Sequence, residues 1–395
     1  MALYPDTAVE RAMRIQEVIL RATSGEITWI QASRIIGVSE RTMRRWKARY
    51  EKHGYDGLFD RRRRRPSPKR VPLKEVEKIL RLYREKYFDF NVRHFHQMLV
   101  REHGVGLSYT FVKKALQEAG LVRRKRSRGR HRKRRERKGC FGEMLHIDGS
   151  KHEWLALCAG QHQVAVVMTD DATGRILYCQ LCEEETVWAI LTALREVFGE
   201  YGLPLSLYSD RAGWAFHTPK AGGKVDRENL TQVGRALERL GIEHIPSYSP
   251  QARGRSERAN RTLQDRVISE LRLAGIRTVE EANAYLKQRY VPSHNELFAV
   301  DAREPENLFV SCRGTNLDQY LCLEHERVVG RDNVVRYENR ALQIDKQRGR
   351  ATCAGRRVLV RHHLDGTITL WLGSKALGIY DSQGLALHTN QRKVA

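Results

Sequence analysis

Two arginine-rich runs divide this chain before any other feature is considered. Residues 61–70 read RRRRRPSPKR, with seven basic side chains in ten, and residues 121–138 read LVRRKRSRGRHRKRRERK, with twelve basic residues and a single acid, Glu136. Neither run has apolar periodicity, so neither can bury a face against a core. Both read as extended linkers, and they leave three blocks: 1–60, 71–122 and everything from about 140 onward. The 71 Lys and Arg against 47 Asp and Glu give a net charge of +24 over 395 residues. A chain this basic calls for a polyanionic partner, and nucleic acid is the first choice. The 41% hydrophobic content supports several cores and excludes global disorder. No apolar run approaches the length of a membrane span, and the N-terminus lacks the charged and apolar regions of a secretory signal. Seven cysteines in this length do not make a disulfide framework and fit a reducing compartment.

The first block carries EITWIQASRIIGVSERTMRRWKARYEKHG. Ile27, Ile30, Ile35 and Ile36 are expected to form one apolar helical face, Gly37 a tight turn, and Ser39 the cap of a following helix over about Glu40–Lys52. That helix buries Met43, Trp46 and Tyr50 at helical spacing. It leaves Arg41, Thr42, Arg44, Arg45 and Lys47 outward, the pattern of a recognition helix entering the major groove. An ordinary helical hairpin with a charged face is the plain alternative. The second block predicts helices over Lys74–Tyr87, Val92–His103 and Tyr109–Ala119, the last capped by Ser108 and ended by Gly120. Lys113 and Lys114 mark it as a second DNA-reading unit, with packing or dimerisation as the alternative. Arg124 and Lys125, in the linker 123–139, suit phosphate contacts.

From Gly142 the pattern changes. MLHID reads as a short strand ending in an acid. Two further strands follow, joined by a turn over Asp170–Gly174. The order then runs helix, the strand LPLSLYSD ending in Asp210, helix, strand, and a long helix opening near Gly254. Three hairpin-capable strands followed by alternating helix and strand predict a mixed sheet with helices on its faces. Acids at strand ends converge on a crevice. Asp148, Asp210 and Glu257, the last on the first turn of the long helix, would repel one another without a cation between them. Mg²⁺ or Mn²⁺ is the hard divalent ion that oxygen donors favour, and two such ions clamp the oxygens of a phosphoryl displacement.

HID at Asp148, YSDRAG at Asp210 and SPQARGRSERANRTLQ around Glu257 resemble the three motifs of the DDE transposases and retroviral integrases. The similarity is greatest to the ISNCY-type insertion-sequence transposases. It spans essentially the whole chain and is most specific in the third motif. The resemblance implies a multidomain α/β protein: all-α helix-turn-helix units at 1–60 and 71–122, a ribonuclease-H-like catalytic core at 140–310, and a small β-barrel at 324–385. It implies Asp148, Asp210 and Glu257 as catalytic and metal-binding residues, with two Mg²⁺ or Mn²⁺ per site. The activity implied is binding of terminal inverted repeats, hydrolysis at the element end and joining of the 3′-OH to target DNA. The partners would be double-stranded DNA and further copies of the chain in a synaptic dimer or larger assembly, in the bacterial cytoplasm at the nucleoid. The stretch between Asp210 and Glu257 is longer than the retroviral pattern, and the excess falls in 216–229, FHTPKAGGKVDREN, which reads as a loop insertion.

Arg253, Arg255, Arg258 and Arg261 crowd the start of the Glu257 helix and are candidates for holding DNA phosphates. Arg211 and Trp214 follow Asp210; Trp214 suits either base stacking or core packing. Asp170 and Asp171 read as turn residues, Glu183, Glu184 and Glu185 as the N-terminal charge of the next helix, and Glu143 and Asp226 as surface. His146 and His152, flanking Asp148, suit packing as well as chemistry. Cys179 and Cys182 lie three apart in a predicted strand, so their sulfurs point to opposite faces and do not suit zinc. No phosphate loop of the Gly-x-x-x-x-Gly-Lys-Ser/Thr type occurs.

Overall fold

The computed structural model describes residues 6–60, 71–124, 136–158, 160–220, 223–248, 254–347 and 351–387, apart from the side chain of Arg255. The chain forms two compact units, Met1–Lys78 and Ile79–Ala395.

The first unit holds α1 (Asp6–Thr23), α2 (Trp29–Ile36) and α3 (Glu40–His53), followed by a 3-10 turn over Gly54–Leu58. Ala12, Ile15, Ile19 and Ala22 of α1 bury one stripe against Ala32, Met43, Leu58 and Phe59. The expected apolar face of α2 is corrected. Thr28 caps the helix through a capping box with Gln31, and that start fixes the phase. Trp29, Ala32 and Ile36 turn toward the core, while Ile30 and Ile35 are exposed at 53% and 42%. Gly37 ends α2 at φ +74°, in the left-handed region that favours glycine. Ser39 caps α3. α4 (Leu73–Glu85) straddles the division between the units.

In the second unit α5 (Val92–His103) is capped by Asn91 and α6 (Tyr109–Glu118) by Ser108. Their core is Ile79, Tyr83, Tyr87, Phe95, Leu99 and Leu116. Next come β1 (Met144–His152), β2 (Gln163–Asp170), β3 (Ile176–Cys182), α7 (Val187–Tyr201), β4 (Ser206–Ser209), α8 (Gln232–Arg239), β5 (Glu243–Pro246) and α9 (Gly254–Leu273). The element order expected from sequence is the one observed. The sheet order is β3-β2-β1-β4-β5; β1, β2 and β3 pair antiparallel, and β4 pairs parallel to both β1 and β5. Helices cover both faces. Leu145, Ile147, Val166 and Met168 pack with α7 and α8, and Ala165, Val167, Cys179 and Leu181 pack with α9. Every residue of β2 is buried in consequence. Cys179 and Cys182 do fall on opposite faces. Burial pushes their thiols up, to about 12 and about 11. The described residues 216–220 and 223–229 stay outside the sheet, with Phe216 stacked on His244 at 4.0 Å.

The helical unit of α5 and α6 is docked on α9. Arg272 reaches both oxygens of Asp89 at 2.7 Å, Arg266 bonds Gln97 at 2.7 Å, and His94 Nε2 meets Glu270 at 2.8 Å. Burial lowers the His94 pKa against the opposing pull of Glu270. Burial raises Glu270, but His94 and Tyr285 outweigh it and hold the carboxylate below its usual range.

α10 (Val279–Tyr285) and α11 (Val291–Phe298) follow, joined by a π turn. The tail holds β6 (Leu323–Val328), β7 (Val334–Tyr337), β8 (Arg340–Gln343), β9 (Arg357–His362), β10 (Ile368–Leu372) and β11 (Lys375–Tyr380). These are short strands, and Glu338-Asn339 forms the β7–β8 turn with both residues at positive φ. The strands do not close into the expected barrel. Among the described residues the tail is an open sheet, β11-β10-β9-β6, with β7–β8 as a separate hairpin. The hairpin shares one core with the sheet, including Val335, Tyr337, Leu342, Val360 and Leu370, so the apolar faces are buried without β6 and β11 pairing. Glu324 of β6 is buried against Arg235 and Arg239 of α8 and Arg361 of β9. No helix among the described residues is long and apolar enough to cross a membrane.

Candidate active site

β1 and β4 run parallel in the register Met144↔Ser206, Leu145↔Leu207 and His146↔Tyr208. Carried two residues on, that register sets Asp148 level with Asp210. Asp148 does not end its strand, as MLHID suggested. β1 continues to His152 because β2 keeps pairing with it through Lys151↔Val164 and His152↔Gln163. Asp148 instead marks the point where the parallel neighbour stops. Asp210 follows β4, and its Oδ1 accepts from the Ala212 amide at 3.0 Å.

α9 is strapped along the same face of β1. Asn260 Nδ2 donates to Asp148 Oδ2 at 2.9 Å. Gln264 Nε2 donates to Ser150 Oγ at 2.9 Å, and Ser256 Oγ meets His146 Nδ1 at 3.5 Å. Alternate strand residues 146, 148 and 150 thus meet helix residues 256, 260 and 264. Two strand residues rise about 6.7 Å and four helix residues about 6.0 Å, so the two spacings nearly agree. Asp148 is buried at 6% exposure. Glu257 lies on the first turn of α9, exposed, three residues before Asn260.

Among the described residues no three His, Cys, Asp or Glu side chains gather as a metal-binding group. Asp148 and Asp210 offer oxygen donors only, which is the chemistry that Mg²⁺ or Mn²⁺ takes. His146 is committed elsewhere: its Nε2 meets Asp171 Oδ1 at 2.7 Å with both side chains buried. Asp170 and Asp171 do sit at the β2–β3 turn, but as buried anchors. Asp170 accepts from Gly142, from the Thr173 amide and from the Thr173 hydroxyl. Burial raises its pKa above the usual carboxylate value. Glu143 is half-buried and not a surface residue: it accepts from the Gly139 and Cys140 amides and pairs with Lys138 at 3.1 Å. Asp226 caps its own loop at Glu228 and Asn229. Trp214 is core, 7% exposed, with Nε1 donating to Glu185 Oε1 at 2.7 Å. Arg211 bonds the Gly223 carbonyl and lies over the Tyr248 ring.

Of the expected DNA contacts, Arg41, Arg44 and Arg45 are exposed on α3, with Arg44 paired to Glu40. Thr42 is half-buried, its hydroxyl 2.9 Å from the Ser39 hydroxyl. Lys47 is half-buried over Trp29 and paired to Glu51 at 3.5 Å. Lys113 and Lys114 are exposed on α6, and Arg124 is exposed beyond it. Arg258 and Arg261 are exposed on α9. Lys125, Arg253 and the Arg255 side chain lie outside the described residues.

A family model described as a homeodomain-like domain matches residues 42–116, and one described as a helix-turn-helix domain matches residues 16–67. A protein of Sinorhizobium fredii assigned as a transposase is 29% identical over 383 residues, 96% of this chain and 83% of its own length. The transposase for insertion sequence IS1202 of Streptococcus pneumoniae is 28% identical over 410 residues, 94% of this chain and 86% of its own length. Among solved structures, the simian T-cell lymphotropic virus intasome bound to a PP2A regulatory subunit aligns at TM-score 0.33 and 13% identity, covering 69% of this chain and 91% of that chain. The HTLV-2 integrase catalytic core with magnesium aligns at 0.28 and 14%, covering 37% and 85%.

Proposed function

We propose that the chain is an insertion-sequence transposase, one that cuts the ends of such an element and joins them to new DNA. On this reading the core is ribonuclease-H-like. It hydrolyses the phosphodiester at the element end, exposing a 3′-OH, and then joins that hydroxyl to a target strand. The observation that carries the reading is the parallel β1–β4 register, which ends two residues before Asp148 and Asp210 on adjacent strands, with α9 bonded to Asp148 through Asn260.

Asp148, Asp210 and Glu257 would hold Mg²⁺ or Mn²⁺, two ions per site. When bound, the ions activate the attacking oxygen and stabilise the leaving one. The chain's own groups set the stage. Asn260 fixes one oxygen of Asp148 and thereby its orientation. The Ala212 amide does the same for Asp210. No side chain needs to form a covalent bond to DNA, because water and then the 3′-OH are the nucleophiles. Arg258 and Arg261, with Arg253 and Arg255, hold phosphates near the α9 N-terminus. α3 reads the terminal repeat through Arg41, Arg44 and Arg45, flanked by Thr42 and Lys47. Lys113 and Lys114 belong to the second DNA-reading unit, and Arg124 and Lys125 add sequence-blind backbone contacts. Two ends are processed together, so the working species is a dimer or larger.

The test is strand transfer from a labelled terminal-repeat oligonucleotide into plasmid with Mg²⁺ or Mn²⁺. Joining is expected from the native chain and lost in Asp210→Asn and Asp148→Asn. Joining that survives in both variants refutes the site. Tight repeat binding with no cleavage in the native chain would make it a DNA-binding regulator.

A further inference from the structure

Glu185 precedes Thr186, the N-cap of α7, and from sequence it is one of three helix-end acids. Its carboxylate is placed for something more particular. The Trp214 indole donates to Oε1 at 2.7 Å. On the other side the carboxylate lies against the backbone of Gly149: a Cβ at that position would stand 2.5 Å from Glu185 Cδ and 2.8 Å from Oε1. Gly149 directly follows Asp148. Trp214 lies four residues beyond Asp210 and is buried in the core between the sheet and α7. A single carboxylate therefore touches the strand segment that carries one acid and the turn that follows the other.

The faces of β1 say how it acts. Position 148 points to α9, so position 149 points to the opposite, α7 side. Glu185 reaches the site from behind the sheet and meets Asp148 through backbone. We propose that Glu185 is a positioning residue, a strut between Gly149 and Trp214 that sets the separation of Asp148 and Asp210 and so the affinity of that pair for a divalent cation. The inference rests on the reading of Asp148 and Asp210 as the cation-holding pair. It also explains a glycine at 149: any side chain there displaces the carboxylate. Gly149 does not have positive φ, so alanine fits its backbone and displaces only the flexible end of Glu185.

Mn²⁺ binding by the full chain, followed through the paramagnetic resonance of free Mn²⁺, tests the strut without relying on turnover. Outer partners of metal ligands typically change affinity by about 10- to 100-fold. A loss in that range is expected for E185A, for W214F, which removes the indole N–H along with one of its two rings, and for G149A. E185Q keeps an oxygen for the indole and retains most of the affinity. Strand transfer by the weakened variants recovers at saturating Mn²⁺. D148N separates the two levels of the argument. If D148N binds Mn²⁺ like the native chain, the assignment of the pair fails and the strut fails with it. If D148N loses Mn²⁺ while E185A and W214F bind normally, the pair stands and the strut is overturned. A loss in E185Q equal to that in E185A also overturns it, because the charge itself would then be the contribution.

Discussion

Acidification from pH 7 to pH 5 will destabilise the Ile79–Ala395 unit through two histidines that the fold keeps neutral. His244 stacks on Phe216 and meets Ser209 Oγ at 2.9 Å, and burial pushes its pKa down to about 4. His294 lies among the rings of Tyr290 and Phe298 and is also pushed down to about 4, by burial first and Arg266 second. In the unfolded chain each titrates near 6.5. The folded values lie below the unfolded one. Between the two, protons are taken up by the unfolded chain alone, so stability falls as pH falls; below about 4 the folded protein binds them too and the loss levels off. A gap of about 2.5 pH units caps the loss at about 3.4 kcal/mol for each histidine, and about 2 kcal/mol of it is realised by pH 5. His94, His325 and His362 are shifted the same way by burial. Ordinary carboxylates titrate mostly below this window. Urea denaturation followed by tryptophan fluorescence at pH 7, 6 and 5 reads the slope, since Trp154 and Trp214 are buried in the unit. His244→Gln and His294→Gln should each be less stable at pH 7 but flatten the slope by about 2 kcal/mol between pH 7 and 5. An unchanged slope in both variants would refute the reasoning.

Leu263 is fully buried between α9 and the sheet, so Leu263→Ala should cost about 2–5 kcal/mol; an unshifted thermal melt would contradict that packing. A double-mutant cycle on Arg272→Ala and Asp89→Ala should give a coupling of about 1–2 kcal/mol, because the half-buried pair is bidentate; strictly additive losses would mean the contact does not hold α5 to α9. Arg41→Ala and Arg45→Ala should each weaken repeat binding and lower the salt slope by about one unit; an unchanged slope would remove those residues from the phosphate contacts.

The order of strands and helices in the core was legible because the apolar spacing switches from two to about 3.6 at each boundary. Asp148 and Asp210 were legible as acids toward the ends of two strands that prove adjacent, although one of those strands runs on. Four residues beyond Asp148 pair with β2 alone, and Gly149 and Ser150 carry little strand propensity of their own. α2 was misread in phase because its isoleucines drew the apolar face, whereas Thr28 decides which residues turn inward. Glu185 was hidden by its position: an acid before a helix cap has a sufficient local explanation, and Trp214 is far from it in sequence. The docking of α5 on α9 joins residues more than 160 apart through polar side chains, which no periodicity records. The tail was expected as a closed barrel, but whether a sheet closes depends on pairing between its first and last strands, which no local pattern specifies.

The seam between β1 and α9 works as a vernier. Each step along it gains the strand about 0.7 Å over the helix and turns the helix face by about 40°. Such scales coincide over only a few divisions. Three are used, and the slack shows at one end, where Ser256 and His146 stand 3.5 Å apart against 2.9 Å at the other two rungs. The next pair in line, Ile268 and His152, has left the series: Ile268 packs on the core and His152 faces solvent. The rung that carries Asp148 is the middle division, the one that accumulated slip displaces least from either side. Inserting or deleting one residue between Ser256 and Gln264 would turn the two ends of the scale about 100° apart, and no sliding of the helix could bring all three divisions back into line.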